Sequence, residues 1–218
     1  MKYIILCGGY YLPFKDYPTK HFVEINGESL VERTIRLLNE NGVSDYDISL
    51  TANRSHVDLF TSFGYPVIIE DPTPYWVDGF PKIGGPVCYI FGDVFFSPEA
   101  IKTIIETDTK DIDYFASAIP FYKHYTKGWA EPFAFKVQDF LAFEKAVDTT
   151  KKLQDEGKFC RVPAIAWELW QVIKGTEINV IDYNNYIAIN DYTRDIDTQA
   201  EYEEVLSFMH TYGYMRNV

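Results

Sequence analysis

Two glycines and a lysine near the start of the chain have the residue types and spacing of a phosphate-binding loop. Gly8 and Gly9 directly follow a short apolar segment, and Lys20 comes eleven residues later. Glycine lets the backbone approach an anion without a Cβ in the way, and backbone N–H groups can then point at phosphate oxygens. A lysine in the same loop adds a mobile positive charge. The segment therefore predicts binding of a nucleoside triphosphate, or of a ligand built like one.

Three aspartates that lie far apart in the sequence have the properties of ligands for a divalent cation. Asp93 follows the hydrophobic run 86–91, and open α/β sheets bind ligands at the carboxyl ends of such strands. Asp195 and Asp197 are separated by one residue, so in an extended segment their side chains point to the same side. Taken singly, Asp93 also suits a turn and Asp197 a helix cap. Because Mg²⁺ takes carboxylates together with substrate phosphates and water, we predict that Asp93 and the Asp195/Asp197 pair converge on one Mg²⁺.

The elements that position these residues alternate between strand and helix patterns. Apolar runs predict strands at 3–7, 22–25, 46–50, 66–69, 86–91, 112–119, 132–137 and 186–189. Helical spacing predicts helices over 28–41, 56–63, 98–106, 140–156, 163–174 and 198–212, whereas 72–85 is rich in Pro, Gly and aromatic residues and is predicted to be irregular. Repeated β-α units with short links predict one α/β domain over 1–218, with three layers (α/β/α) and a mostly parallel central sheet.

Composition and charge narrow the classes of partner. The formal net charge of −12 argues against a nucleic-acid partner, because phosphate backbones demand a basic face. No apolar run approaches the ~20 residues that span a bilayer, so we expect no membrane segment, and the first residues lack the features of a signal peptide. Cys7, Cys88 and Cys160 each lie among apolar neighbours and are expected to be reduced core thiols of a cytoplasmic protein.

The order of these motifs resembles the nucleotidyltransferases with a GT-A-like fold, which include sugar-phosphate nucleotidyltransferases, cytidylyltransferases and the molybdopterin guanylyltransferase-like group. Their N-terminal pattern, L-A-G-G-x-G-x-R followed by P-K, is matched by Leu6-Cys7-Gly8-Gly9 and Pro18-Thr19-Lys20. Their metal aspartate after a central strand is matched by Asp93, and their C-terminal D-I-D-T by Asp195-Ile196-Asp197-Thr198. The resemblance covers nearly the whole chain and is strongest at its two ends.

The resemblance implies a Mg²⁺-dependent transfer of a nucleoside monophosphate from a nucleoside triphosphate to a phosphorylated small molecule, such as a sugar or alcohol phosphate. Pyrophosphate is released, and the protein acts by positioning and charge neutralisation. Asp93 and Lys20 are the implied catalytic residues. Leu6, Gly8, Gly9, Lys15 and Lys20 are the implied nucleotide-binding residues.

One part of the family pattern is missing from this chain. The glycine-x-arginine after the paired glycines is replaced by the segment 10–14, which contains no arginine. The arginine's role with the triphosphate must then pass to Lys15 or Lys20, or be absent. An arginine offers a bidentate fork that a lysine lacks, so this replacement is not neutral.

The residues predicted to bind the acceptor lie in the middle part of the chain. Glu131 lies among aromatic residues, and a carboxylate in that setting can hold sugar hydroxyls or a cationic group. We predict that Glu131 points into the same cleft as Asp93, and we assign Arg161 to the acceptor as well. The alternative is that the aromatic residues are core and Glu131 is solvated.

Two other functions are compatible with the same fold. A glycosyltransferase would consume an activated sugar, but such enzymes usually carry D-x-D after the central strand, where this chain has only Asp93. A noncatalytic nucleotide-binding regulatory module is favoured by the missing arginine. The position of the single acid favours the nucleotidyltransferase.

Overall fold

The structure is a computed structural model that describes residues 1–9, 14, 16–118, 130–180 and 185–212 of the chain. Its strands are β1 (Lys2–Leu6), β2 (Glu24–Ile25), β3 (Glu28–Ser29), β4 (Ile48–Asn53), β5 (Val67–Glu70), β6 (Val87–Phe91), β7 (Val94–Phe95), β8 (Ile112–Ser117), β9 (Pro132–Val137), β10 (Ile187–Ile189) and β11 (Arg194–Asp195). Its α-helices are α1 (Leu30–Glu40), α2 (Val57–Thr61), α3 (Pro98–Glu106), α4 (Phe140–Asp155), α5 (Ala166–Lys174) and α6 (Gln199–Tyr212). A short 3₁₀ turn, Lys20–Phe22, precedes β2, and another, Trp76–Gly79, lies within the predicted irregular stretch.

Seven strands form the central sheet, in the order β10-β8-β9-β6-β1-β4-β5. The pairs of β1 with β4 and β6, of β4 with β5, and of β8 with β10 are parallel. Strand β9 runs antiparallel to both of its neighbours, β6 and β8. The predicted α/β class with a mostly parallel sheet is therefore confirmed.

The central strand β6 explains why one edge of the sheet can collect functional residues. All five of its residues are buried, as expected for an uninterrupted apolar run covered on both faces. It lies between β1 and β9, and its carboxyl end is next to that of β1 because Leu6 is in register with Phe91. The loops that follow β1 and β6 consequently start side by side.

A second, smaller structure lies beside the main sheet. Strands β7 and β11 form a two-stranded antiparallel ribbon, and β2 and β3 form a hairpin whose turn residues Asn26 and Gly27 both have positive φ. A second apolar cluster joins the hairpin, the ribbon and α6 and consists of Phe14, Val23, Ile25, Leu30, Phe95, Ile196, Tyr202, Val205 and Met209. This cluster holds the C-terminal part of the chain against the segment that follows the glycine loop.

Two of the three cysteines are buried as predicted, and one is exposed. Cys7 and Cys88 are buried thiols, as predicted, but Cys160 is exposed. The prediction is wrong for Cys160 because this residue lies in the connection between α4 and α5, where its apolar sequence neighbours do not place it in the core. Within the described ranges, no helix has both the length and the apolar character needed to cross a membrane.

Candidate active site

A cleft of about 620 Å³ lies at the carboxyl ends of the parallel strands. Its lining includes the last residues of four of them, Leu6 of β1, Asn53 of β4, Glu70 of β5 and Phe91 of β6. It also includes Gly8, Gly9 and Asp93, together with aromatic residues of the irregular 72–85 stretch. This is the edge at which open α/β sheets bind ligands.

Gly92 lets the two loops approach each other closely. The Gly92 N–H donates to the Leu6 carbonyl at 2.9 Å. A Cβ at this position would lie 2.5 Å from Cys7 Sγ and 2.8 Å from the Leu6 carbonyl oxygen, which no side chain can accommodate without movement. The absence of a side chain at Gly92 therefore places Asp93 next to the glycine loop.

The three aspartates come together although about a hundred residues separate Asp93 from the other two. The ribbon of β7 and β11 brings this about, because Asp195 lies opposite Val94 in the antiparallel register. The Ile196 N–H also donates to the Asp93 carbonyl at 3.0 Å. One carboxylate oxygen from each of Asp93, Asp195 and Asp197 lies within 4.8 Å of the other two.

The aspartate cluster fits a divalent cation. Asp195 Oδ1 is buried and has no hydrogen-bond partner among the described residues. Burial, followed by the charges of Asp93 and Asp197, raises the pKa of Asp195 well above its ordinary value. Asp93, Asp195 and Asp197 would hold a divalent cation, which would supply the missing partner and reduce the repulsion, and oxygen ligands of this kind suit Mg²⁺.

Lys20 lies beside the same carboxylates. Its Nζ is 2.5 Å from Asp93 Oδ2 and also forms an ion pair with Asp197. Burial disfavours its charge, but Asp93, Asp195 and Asp197 outweigh that effect, so the pKa of Lys20 is raised above its ordinary value. The ammonium group of Lys20 is therefore held in its charged form beside Asp93 and Asp197. Lys15 falls outside the described residues.

The glycine loop is anchored by a threonine of β4. The N–H groups of Cys7 and Gly8 both donate to Thr51 Oγ1, at 2.9 and 3.0 Å. The Gly8 N–H, predicted to face phosphate, thus has a partner within the protein. Gly9 lines the cleft with φ of +102°, a conformation that glycine adopts readily.

Glu70 is a cleft residue that the sequence patterns did not reveal. Its carboxylate lies directly over Gly8, where a Cβ would be 1.7 Å from Oε2. Burial raises the pKa of Glu70 to about 7, against the opposing effect of a hydrogen bond from Thr51. The only signal in the sequence is an acid at the end of a strand, which by itself is also typical of a turn.

Neither of the two residues assigned to the acceptor, Glu131 and Arg161, is part of the cleft lining. Glu131 is only 7% exposed, and Arg194 Nη1 lies 3.8 Å from its Oε2, which also accepts the Asp195 N–H at 3.1 Å. Its carboxylate lies behind the aspartate cluster rather than in the cleft lining, which does not include it. Arg161 Nε is 3.8 Å from Glu168 Oε1 at the start of α5, and Arg161 is not among the residues that line the cleft.

The position of Glu131 gives it a role in holding Asp195. Ser117 holds the backbone of Glu131 with two hydrogen bonds, because its hydroxyl accepts the Glu131 N–H and its own N–H donates to the Glu131 carbonyl.

We expect Glu131→Ala to weaken Mn²⁺ binding and activity by roughly 10- to 100-fold, the usual effect of removing a group that orients a metal ligand. Glu131→Gln keeps an acceptor for the Asp195 N–H and is expected to restore most of the affinity. Mn²⁺ titration followed by electron paramagnetic resonance measures both, and equal losses in the two variants would contradict this role.

Comparison with known proteins identifies the fold. No protein-family model matches the sequence, and no curated protein matches it either. Among solved structures, the chain is similar to the inositol-1-phosphate CTP transferase from T. maritima, with a TM-score of 0.59, 18% identity and 94% of each chain covered. It is also similar to 4-diphosphocytidyl-2C-methyl-D-erythritol synthase from Anaerococcus prevotii, with a TM-score of 0.60, 13% identity and coverage of 96% of this chain and 95% of that one. The CTP:phosphocholine cytidylyltransferase from Streptococcus pneumoniae follows, with a TM-score of 0.55, 15% identity and coverage of 95% and 98%. The chain therefore has the nucleotide-diphospho-sugar transferase fold, which is the fold of these nucleotidyltransferases.

Proposed function

We propose that this protein is a nucleotidyltransferase that moves a nucleoside monophosphate from a nucleoside triphosphate to a phosphorylated sugar or alcohol. The observation that carries the proposal is the meeting of Asp93, Asp195 and Asp197 with Lys20, next to Gly8 and Gly9 at the cleft. Two kinds of group are required there, carboxylates for a cation and a positive side chain for phosphate. Both lie within a few ångströms of each other.

In the proposed reaction, a phosphate oxygen of the acceptor attacks the α-phosphorus of the nucleoside triphosphate. A new phosphorus–oxygen bond forms as the bond from the α-phosphorus to the bridging oxygen breaks, and pyrophosphate leaves with the electron pair. The acceptor phosphate is already an anion, so no general base has to remove a proton. The protein must hold two anionic reactants in line and neutralise their charge.

The residues divide this work between them. Asp93, Asp195 and Asp197 would hold Mg²⁺, which when bound supplies charge stabilisation on phosphate oxygens. Lys20 supplies a second positive charge, and Gly9, which lines the cleft with open space beside it, lets the nucleotide approach the backbone. Lys20 forms ion pairs with Asp93 and Asp197. When the nucleotide binds, we expect the ammonium group of Lys20 to exchange these carboxylates for the triphosphate.

The fold supports this choice of substrates. The solved structures similar to this chain include an inositol-1-phosphate CTP transferase and a CTP:phosphocholine cytidylyltransferase. Both names describe transfer involving a nucleoside triphosphate and an alcohol phosphate. We extend that class of acceptor to this chain on the basis of the fold and the cleft.

The test is a reaction panel. The protein is incubated with Mg²⁺, each of the common nucleoside triphosphates, and a range of sugar and alcohol phosphates, and pyrophosphate release is measured. We expect release with one nucleotide and only in the presence of a phosphorylated acceptor, with the dephosphorylated acceptors as matched controls. Tight nucleotide binding without pyrophosphate from any combination would instead indicate a regulatory module. Release of a nucleoside diphosphate from a nucleotide sugar would indicate a glycosyltransferase.

A further inference from the structure

The carboxylate of Glu70 has an unusual place in the cleft wall. It occupies the space over Gly8 that a side chain there would fill, and a Cβ at Gly79 would be 3.7 Å from its Oε2. The space over Gly8 is therefore taken by the carboxylate of Glu70. Any other residue at Gly8 would force Glu70 out of this position.

The hydroxyl group of Thr51 acts on Glu70 from within the protein. Thr51 Oγ1 already accepts the N–H groups of Cys7 and Gly8. Its single proton is therefore directed away from those two donors and is available to the Glu70 carboxylate, whose pKa it lowers. This hydrogen bond favours the ionised, accepting form of Glu70, but burial outweighs it and raises the pKa of Glu70 to about 7, so the accepting form gains as the pH rises above 7.

One oxygen of that carboxylate has no hydrogen-bond partner among the described residues. Glu70 Oε1 is buried and forms no hydrogen bond within the described part of the chain. A buried acceptor without a donor is costly, and the last torsion of a glutamate is broad, so the carboxylate can turn to meet a donor in the cleft. Glu70 is one of the residues that line that cleft. The geometry thus calls for a ligand edge that presents N–H groups.

Among the nucleobases, the donor edge distinguishes guanine. Guanine has an N1–H and an N2 amino group side by side, which match the two oxygens of a carboxylate. Adenine and cytosine place a ring nitrogen acceptor beside their single amino group, and uracil and thymine place carbonyl oxygens on both sides of their N–H. Each of these would bring an acceptor against Glu70.

We propose that Glu70 accepts the N1–H and N2–H groups of guanine and makes this site selective for GTP. The inference rests on the proposed function only in requiring that a nucleotide occupies this cleft. The role of Gly8 follows from it, because the glycine keeps the position of Glu70 clear.

Binding measurements without an acceptor test this proposal. Isothermal titration with GTP, ITP, ATP, CTP and UTP gives the base preference of the unaltered protein. We expect GTP to bind roughly 10- to 100-fold more tightly than the other common nucleotides, the range for a good bidentate pair against the wrong base. ITP keeps the N1–H and lacks the N2 amino group, so it is expected to bind about tenfold more weakly than GTP.

Glu70→Gln should invert the preference rather than merely weaken binding. The Thr51 proton needs an acceptor, so the amide oxygen of Gln is expected to face Thr51 and its NH₂ group to face the cleft. A donor there opposes guanine and suits the acceptor edges of CTP and UTP. The difference between GTP and ITP is expected to disappear in this variant.

Glu177→Gln is the matched control, because it makes the same change at an exposed residue that does not line the cleft. It should keep the GTP preference. The proposal is overturned if the unaltered protein does not prefer GTP, or if Glu70→Gln retains that preference. The ITP comparison needs no variant, so it decides the matter even if a substitution disturbs folding. GTP-selective binding without pyrophosphate release would remove the proposed function alone, whereas turnover of another nucleotide would remove this inference alone.

Discussion

Asp93→Asn is expected to reduce Mg²⁺-dependent nucleotidyl transfer by roughly 10³-fold or more, because a metal ion contributes several kcal/mol of charge stabilisation to such reactions. Asp93 is the carboxylate that links the cluster to the cleft, since it contacts Lys20 and lines the cavity. Asparagine preserves its shape but removes the negative charge. Steady-state pyrophosphate release measures the loss, and Mn²⁺ titration reports the cation site independently of turnover.

The fold should survive this substitution. Asp93 repels Asp195 as well as attracting Lys20, so the two effects on stability oppose each other. The control is Asp148→Asn, which removes the same charge from an exposed position on α4. It is expected to leave both activity and Mn²⁺ affinity unchanged. If Asp93→Asn kept the full Mg²⁺ response, Asp93 would be a turn residue and the cation site would lie elsewhere.

Lys20→Ala is expected to have two effects of opposite sign. Turnover should fall by roughly 10²–10³-fold, the usual scale for one electrostatic contact with a transition state. Mn²⁺ affinity in the absence of nucleotide should rise, by about tenfold or more, because the cation no longer competes with an ammonium group for Asp93 and Asp197. A residue with only a structural role would not produce this combination.

Lys20→Arg provides the matched comparison. It retains the positive charge but replaces the compact ammonium with a planar fork, so we expect partial recovery of turnover. Mn²⁺ affinity should return toward that of the unaltered protein. Turnover within threefold of normal in Lys20→Ala would show that the triphosphate is held by another cation, and a fall in its Mn²⁺ affinity would show that Lys20 does not compete with the metal for the carboxylates. A charge at Lys15 is then the next to test.

The sequence alone determined the longer strands and helices of this fold. The helix predicted over 98–106 and the strand predicted over 132–137 coincide with α3 and β9. These predictions succeed because apolar periodicity and capping residues act over a few neighbouring positions. The mostly parallel sheet followed from the alternation of β and α segments.

The direction of β9 and the ribbon of β7 and β11 were decided only by tertiary structure. Periodicity shows which residues of a strand are buried, but it does not show which strand becomes the partner or in which direction it runs. Strand β11 has two residues and β7 has two, too few to carry a pattern. Their pairing places Asp195 beside Asp93, so the predicted meeting of the aspartates depends on a contact that no local pattern encodes.

The same limit explains the two carboxylates whose surroundings were not foreseen. Glu131 was predicted to face the cleft, but its carboxylate accepts the Asp195 N–H from within the protein. No sequence pattern marked Glu70 as a site residue, although its carboxylate lies over Gly8. Residue type and spacing indicated which side chains could bind a cation and a phosphate. Which acids face the ligand and which support the site was decided by packing, because burial and hydrogen-bond partners come from segments distant in the chain.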